Sequence, residues 1–354
     1  MDAAPEDLIA RFREDYERLL KPGDDAGHRI ALAVSGGPDS MAMLGLATAA
    51  FPGRVIAATV DHGLRTESAD EARMVARACS RIGIAHVTLT IGTARGTTGN
   101  LHSWARHERY TSLIRWAADA NARTLCTAHH AEDQAETFLM RAARASGLSG
   151  LAAVRARRET NMPVGKPASA DSPEGGQNLS PPARPIALLR PLLRWRRNEL
   201  RSVAESMRLP IVDDPSNRDP RFDRTRFRAW LAEAPWIDPN QIGRTAENLA
   251  ALNEDIEQIC AWLWQARALD SEGDEARFDV SDLPRGVKRY LVRIGIGHVL
   301  QTNDRAGGNW NPSSNVEALL DALEAGSSAT QADVLASAKG MVWHFRRAPA
   351  RRLH

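Results

Sequence analysis

Apolar and polar positions change their spacing several times along the chain. Residues 5–21 repeat every three to four positions, with Leu8, Ile9, Phe12, Leu19 and Leu20 near one stripe, which predicts an amphipathic helix. From there to about residue 145, short apolar runs alternate with helical patterns. Arg29–Val34, Arg54–Val60, Ala85–Ile91 and Arg123–Thr127 read as buried strands; 39–50, 67–82, 100–120 and 131–145 read as helices. Strands alternating with helices predict βαβ units: an α/β, Rossmann-like, doubly wound parallel sheet with helices on both faces. Such sheets bind ligands beyond the carboxyl ends of their strands. The segments that follow strands are therefore where chemistry is expected.

The pattern changes after Gly150. Residues 160–184 are rich in Pro, Gly, Ser and Asn and have no period, which predicts a flexible loop. It is either a connection without a role or a mobile flap over a bound macromolecule. Its flanks, Leu151–Arg158 and Pro185–Leu193, have the composition of two pairing strands. A basic helix follows over 195–208. The chain is then mainly helical from Arg226 to about Leu269, and Val334–Arg346 reads as a strand pair turning at Lys339-Gly340. We place a domain boundary near residue 222, giving a catalytic domain over 1–222 and a smaller, mainly helical domain over 223–354. Trp195 and Trp230 read as core residues.

Composition narrows the class. With 354 residues, 43% hydrophobic and 25% charged, the chain is an ordinary globular protein of about two domains. Cys79, Cys126 and Cys260 lie far apart, which gives no CxxC, no zinc spacing and no disulfide framework. No apolar run reaches the ~18 residues a membrane span needs. The acidic N-terminus has no signal-peptide apolar region, so a cytoplasmic protein with no membrane partner is expected. Net charge is only +2, yet forty-two of the forty-six basic residues are Arg. Codon bias accounts for this; so does phosphate recognition by guanidinium groups.

Ser35-Gly36-Gly37-Pro38-Asp39-Ser40 directly follows the first strand and opens a helix. Two glycines let backbone N–H groups approach an anion, and the helix start adds unpaired donors and a positive dipole end. Asp39 facing a phosphate requires a cation between them, which points to Mg²⁺ carried with polyphosphate. Neither GxxxxGK[ST] nor GxGxxG is present. The hexapeptide resembles the PP-loop of the N-type ATP pyrophosphatase superfamily. Its members cleave ATP between the α and β phosphates and use AMP to activate an oxygen. By that resemblance Ser35 to Ser40 hold ATP.

Further segments resemble one branch, the tRNA(Ile)-lysidine synthetases. Val60-Asp61-His62-Gly63-Leu64-Arg65 resembles VDHGLR, which adds Asp61 and His62 to the ATP site. Gly99-Asn100 with Ala105-Arg106 through Arg109-Tyr110 resembles GN…ARxxRY. Thr127-Ala128-His129-His130-Ala131-Glu132-Asp133-Gln134-Ala135-Glu136-Thr137 resembles TAHHxDDQxET, with Glu132 where Asp is usual. In that segment His129, Asp133 and Glu136 stand at i, i+4 and i+7, on one face of a helix starting at a strand end. An imidazole and two carboxylates facing a nucleotide can bind Mg²⁺, orient an amine or move a proton. Arg144–Leu151 resembles RGSGxxGL, with Ala145 for a glycine. Arg190-Pro191-Leu192-Leu193, Asp214-Pro215-Ser216-Asn217 and Arg224–Arg228 resemble RPLL…DPSN…RNRIR, with Thr225 for an Asn. The likeness covers about residues 28–232.

The resemblance implies catalytic roles for Asp39, Arg109, His129, Asp133 and Glu136. Asp39 and Asp133 would hold Mg²⁺, and Arg109 and Glu136 would place lysine or the activated base. Eleven Arg against seven acids between Pro185 and Pro235 suggest tRNA contacts at Arg194, Arg197, Arg224 and Arg226, unless they pair with neighbouring acids. The implied reaction joins free L-lysine to C2 of the wobble cytidine of a CAU-anticodon tRNA(Ile) through an adenylated tRNA, in a monomer or homodimer. A PP-loop tRNA thiolase, or another adenylating synthetase, is the alternative. Scattered cysteines speak against the thiolase.

Overall fold

The structure is a computed structural model that describes residues 4–24, 27–61, 67–91, 101–160, 185–213, 223–270, 275–301, 310 and 314–349. His62, Gly99-Asn100, residues 161–184, Asp214–Asn217 and the boundary near residue 222 lie outside the described residues. Contacts group the chain into two units, 1–145 with 153–247, and 146–152 with 248–354.

In the first unit, β1 (Arg29–Ala33), β2 (Val55–Asp61), β3 (Ala85–Thr90), β4 (Ala122–Cys126), β5 (Arg157–Thr160) and β6 (Ile186–Leu189) form one sheet in the order β3-β2-β1-β4-β6-β5. All pairs are parallel except β5 with β6, which is antiparallel, so the flanks of the long loop do pair as strands. β1 is buried at four of its five positions, as a strand covered on both faces must be. One face carries α1 (Glu6–Glu17), α2 (Pro38–Ala50) and α7 (Arg197–Ser206); their core includes Phe12, Tyr16, Met41, Leu44 and Met207. α2 is buried almost all round, and a Cβ on Gly45 would lie 2.6 Å from Met207 Sδ, so the Met207 side chain fills the space this glycine leaves. The opposite face carries α4 (Leu101–Asp119), whose Leu113, Ile114 and Ala117 pack with Ala31, Ile56 and Leu125. α3 (Glu67–Arg81) links β2 and β3, and α5 (Ala131–Ala142) follows β4.

Trp195 is fully buried and its indole N–H donates to Asp15 Oδ2 at 2.8 Å. Trp230 is 47% exposed. It lies on α8 (Asp223–Glu233), a helix with a weak amphipathic pattern and no buried residue, so the core expected for it is absent.

The second unit contains α6 (Leu148–Leu151), the later turns of α9 (Pro239–Arg267), α10 (Arg285–Gln301) and α11 (Glu317–Glu324). It also contains an antiparallel sheet of β7 (Ala268–Leu269), β8 (Ala276–Asp279), β9 (Ser328–Gln331), β10 (Val334–Lys339) and β11 (Val342–Arg347), ordered β7-β8-β11-β10-β9. The strand pair read around Lys339-Gly340 is therefore the centre of a larger sheet. Trp343 and Phe345 alternate inward from β11, and Gly295 on α10 leaves room for the Phe345 ring.

Candidate active site

β1 and its neighbours β2 and β4 form the switch point of the sheet, where crossovers leave in opposite directions and open a crevice. The 35–40 loop leaves β1 there. Gly36 has φ +89°, a conformation that side chains rarely adopt, and a Cβ would sit 3.1 Å from Met74 Cε and 3.3 Å from Val75 Cγ2. Gly37 precedes α2 and Pro38 occupies its first turn, where a missing N–H costs nothing. The Ser35 amide donates to Ser40 Oγ at 3.2 Å, and Ser40 Oγ donates to Gly37 O at 2.9 Å. Ser40 thus braces the loop from inside, while Ser35 is exposed. Asp61, at the end of β2, accepts from Ser68 Oγ at 2.6 Å.

α5 starts where the 131–145 pattern places it, two residues after His129. Its first residue is Ala131 and His130 precedes it, its amide donating to Asp133 Oδ2 at 3.1 Å. His129 therefore lies off the helix and does not share a face with Asp133 and Glu136. It pairs with the Thr127 hydroxyl through Nδ1 at 3.0 Å. Desolvation, and then the positive charge of Arg190, push its pKa down to about 3. The neighbouring His130, which spacing passed over, takes the central place. It is 1% exposed, with Nε2 3.5 Å from Asp39 Oδ2 and 3.6 Å from Asp133 Oδ2, and Nδ1 3.0 Å from Glu132 Oε2. Burial lowers its pKa, but Asp133, Asp39 and Glu132 outweigh that and raise it to about 9. Asp133 moves the other way, to about 2: burial opposes ionisation, and His130 and Arg224 overcome it.

Glu136 has no exposed surface. Its Oε2 accepts from Arg224 Nε at 2.8 Å and its Oε1 from Arg228 Nε at 2.8 Å; Arg197 Nη2 stands 3.7 Å away. Arg224 also donates to Asp133 Oδ1 at 2.6 Å. Arg224 and Arg228 are i and i+4 on α8, so one helix face delivers both guanidiniums to two carboxylates of α5. Glu132 accepts from Arg196 Nε at 2.8 Å and from the Arg197 amide at 3.0 Å. Sequence reasoning missed Arg196 and Arg228; the RxRxR spacing of 224–228 was the available signal.

The other assigned residues are more dispersed. Arg109 sits on α4 beside Tyr110 and Arg106, and burial lowers its pKa. Among the described residues no hydrogen bond or ion pair joins it to Glu136. Arg194 grips Glu247 through two donors at 3.1 and 2.8 Å, and Arg226 pairs with Asp223.

The donors suit one hard cation. Asp39 Oδ1 is buried without a hydrogen-bond partner, and the Asp39 and Asp133 carboxylates converge on the same imidazole nitrogen. Among the described residues no group of three or more His, Cys, Asp and Glu forms a closed cage. Mg²⁺ commonly takes one or two carboxylates and completes its shell with water and substrate phosphate, so the residues present fit it.

Comparison with known proteins follows this geometry. Residues 8–234 match the PP-loop domain family. The chain is 39% identical over 325 residues to the tRNA(Ile)-lysidine synthase of Zymomonas mobilis, covering 92% of this chain and 90% of that one. It belongs to the tRNA(Ile)-lysidine synthase family. A second lysidine synthase, from Novosphingobium aromaticivorans, is 37% identical over 97% of this chain and 94% of its own. Family membership makes the protein a ligase that uses ATP to form lysidine on tRNA(Ile). A U34-tRNA thiolase from Methanococcus maripaludis, solved with its [4Fe-4S] cluster, matches 69% of this chain and 80% of its own, with TM-score 0.50 and 18% identity. That likeness concerns the fold. In this lysidine synthase all three cysteines are buried, and burial raises every thiol pKa, Cys79 and Cys260 to about 11. No described helix is long and apolar enough to cross a membrane.

Proposed function

We propose that this lysidine synthase joins the ε-amine of free L-lysine to C2 of the wobble cytidine in a CAU anticodon, in the cytoplasm, with Mg²⁺. The observation that carries the assignment of roles is the convergence of Asp39, with its unpartnered carboxylate oxygen, and Asp133 beside the 35–40 loop.

In the first step the cytosine O2 attacks the α-phosphorus of ATP. The α–β anhydride bond breaks and pyrophosphate departs. Backbone N–H groups of Gly36, Gly37 and the start of α2 receive its charge, assisted by the Ser35 hydroxyl. Asp39 and Asp133 would hold Mg²⁺, which supplies charge neutralisation to the phosphates. In the second step the lysine amine attacks C2, the C2–O bond breaks and AMP leaves. The attacking amine must be neutral, although its ordinary pKa is near 10.4. His129, with a pKa near 3, is too weak a base for this task. We assign the proton to Glu136, which accepts it once lysine displaces a guanidinium from its carboxylate. Arg109 is left to place substrate from the α4 side, and Arg194, Arg197 and Arg226 to contact tRNA phosphate. The C-terminal region, 223–354, is the proposed grip on the tRNA body.

The test uses purified protein, ATP, Mg²⁺, labelled L-lysine and a CAU-anticodon tRNA(Ile) transcript, with a U-for-C wobble transcript as control. The proposal requires label in the first tRNA only, lost with Asp39→Ala. AMP release without lysine incorporation defeats the choice of nucleophile.

A further inference from the structure

The first turns of α9 carry a pocket that the reaction described above does not use. It has a volume of about 430 Å³ and is lined by Leu193, Arg194, Asn240, Gly243, Arg244 and Glu247. Its chemistry is that of a site rather than a packing defect. Leu193 supplies a buried apolar wall. Asn240 Oδ1 is buried and has no hydrogen-bond partner, a costly arrangement unless a ligand donates to it. Arg244 is exposed and, among the described residues, no carboxylate lies within ion-pair distance of it. Four residues before Asn240, Trp236 presents its ring to solvent at 78% exposure.

The pocket also backs onto the catalytic helix. A Cβ on Gly243 would lie 3.7 Å from Gln134 Cγ, and Gln134 is the residue after Asp133 on α5. Gln134 is buried and bonded to both polar groups of the Val154 backbone, so its side chain is held in place behind Gly243.

We propose that this pocket, with the exposed Trp236 four residues before Asn240, takes an unpaired nucleotide of the tRNA anticodon loop near the reacting cytidine. Single-stranded RNA is read by splaying bases onto aromatic and guanidinium planes and bonding their edges. Here Asn240 Oδ1 accepts from a base amino or imino group, Leu193 offers the base an apolar wall, Arg244 meets the phosphate, and the solvent-facing Trp236 ring is free to take a neighbouring base. The site holds the loop while the reacting cytosine is turned into the crevice, and rests on tRNA(Ile) being the substrate.

Wild-type lysidine formation is measured first; its absence overturns the functional reading and not the pocket. With active enzyme, Asn240→Ala and Trp236→Ala should each raise the tRNA KM about tenfold, the size of one lost base contact, with the ATP KM unmoved. Arg244→Ala, at an exposed position that does not threaten folding, should raise it as well. Transcripts carrying a single abasic residue at each other anticodon-loop position then locate the base: at one position Asn240→Ala should have no further effect. The proposal falls if Asn240→Ala and Arg244→Ala both leave the tRNA KM unchanged. It falls also if the loss is equal on every abasic transcript, or if the lysine KM rises instead.

Discussion

Arg224 donates to Asp133 Oδ1 at 2.6 Å across 91 residues of chain, and the same guanidinium reaches Glu136. A helix far along the sequence thus folds onto α5 and brings arginines to its acidic face, which they charge-compensate. A double-mutant cycle between Arg224→Ala and Glu136→Gln should give a coupling of roughly 0.5–3 kcal/mol in chemical unfolding, as for groups sharing one network. Strict additivity of the two changes would mean that the pair does not hold α8 in solution.

Asp39 has one carboxylate oxygen without a partner. Asp39→Asn keeps the shape and removes the charge. We expect AMP formation to need at least about tenfold more Mg²⁺, since a hard cation loses an anionic oxygen ligand. tRNA retention in a gel-shift assay should not change. An unaltered Mg²⁺ dependence refutes the metal assignment.

His129 titrates far below its ordinary range, to about pH 3, through desolvation and Arg190. A histidine whose folded pKa is depressed contributes stability that is complete above the unfolded value near 6.5 and declines as pH falls from there toward 3. Each pH unit inside that window removes about 1.4 kcal/mol. His129→Gln should therefore flatten the loss of stability between pH 6.5 and pH 5 in urea titrations. In NMR spectra the ring resonances of His129 should show no titration step between pH 8 and 5; a step near 6.5 contradicts the desolvation argument.

Gly36→Ala forces a side chain into φ +89° and against Met74. The methionine end can yield, but the backbone strain cannot, at a cost on the order of 1–3 kcal/mol. The loop should relax away from its anion-binding shape. Thermal melting should fall modestly while AMP formation falls far more; equal ATP turnover in the variant would show that the loop does not need this conformation.

Trp195 and Trp230 separate burial from composition. Trp195→Ala removes a fully buried indole that is bonded to Asp15 and should cost about 3–5 kcal/mol. Trp230→Ala, at a 47% exposed site, should stay within about 0.5 kcal/mol of wild type. Matching losses at the two positions would indicate that α8 packs differently in solution.

Much of this protein was readable from residue order alone, because the signals are local. Apolar runs such as RIALA mark strands covered on both faces, and their alternation with helical periods defines the parallel sheet. Ser35 to Ser40 after the first strand marked a tight glycine loop opening a helix, since the need for glycine at φ +89° is a property of that backbone alone. The distribution of roles was not local. Whether His129 or His130 faces Asp39 depends on how the chain turns from β4 into α5, a turn in which the His130 amide bonds to Asp133. That Glu136 is buried between Arg224 and Arg228, and that Trp230 is left in solvent while Trp195 is enclosed, follows from how α8, α7 and α1 pack. Pairing between charges tens of residues apart leaves no period in the sequence, because it is decided by which surfaces meet once the sheet has formed.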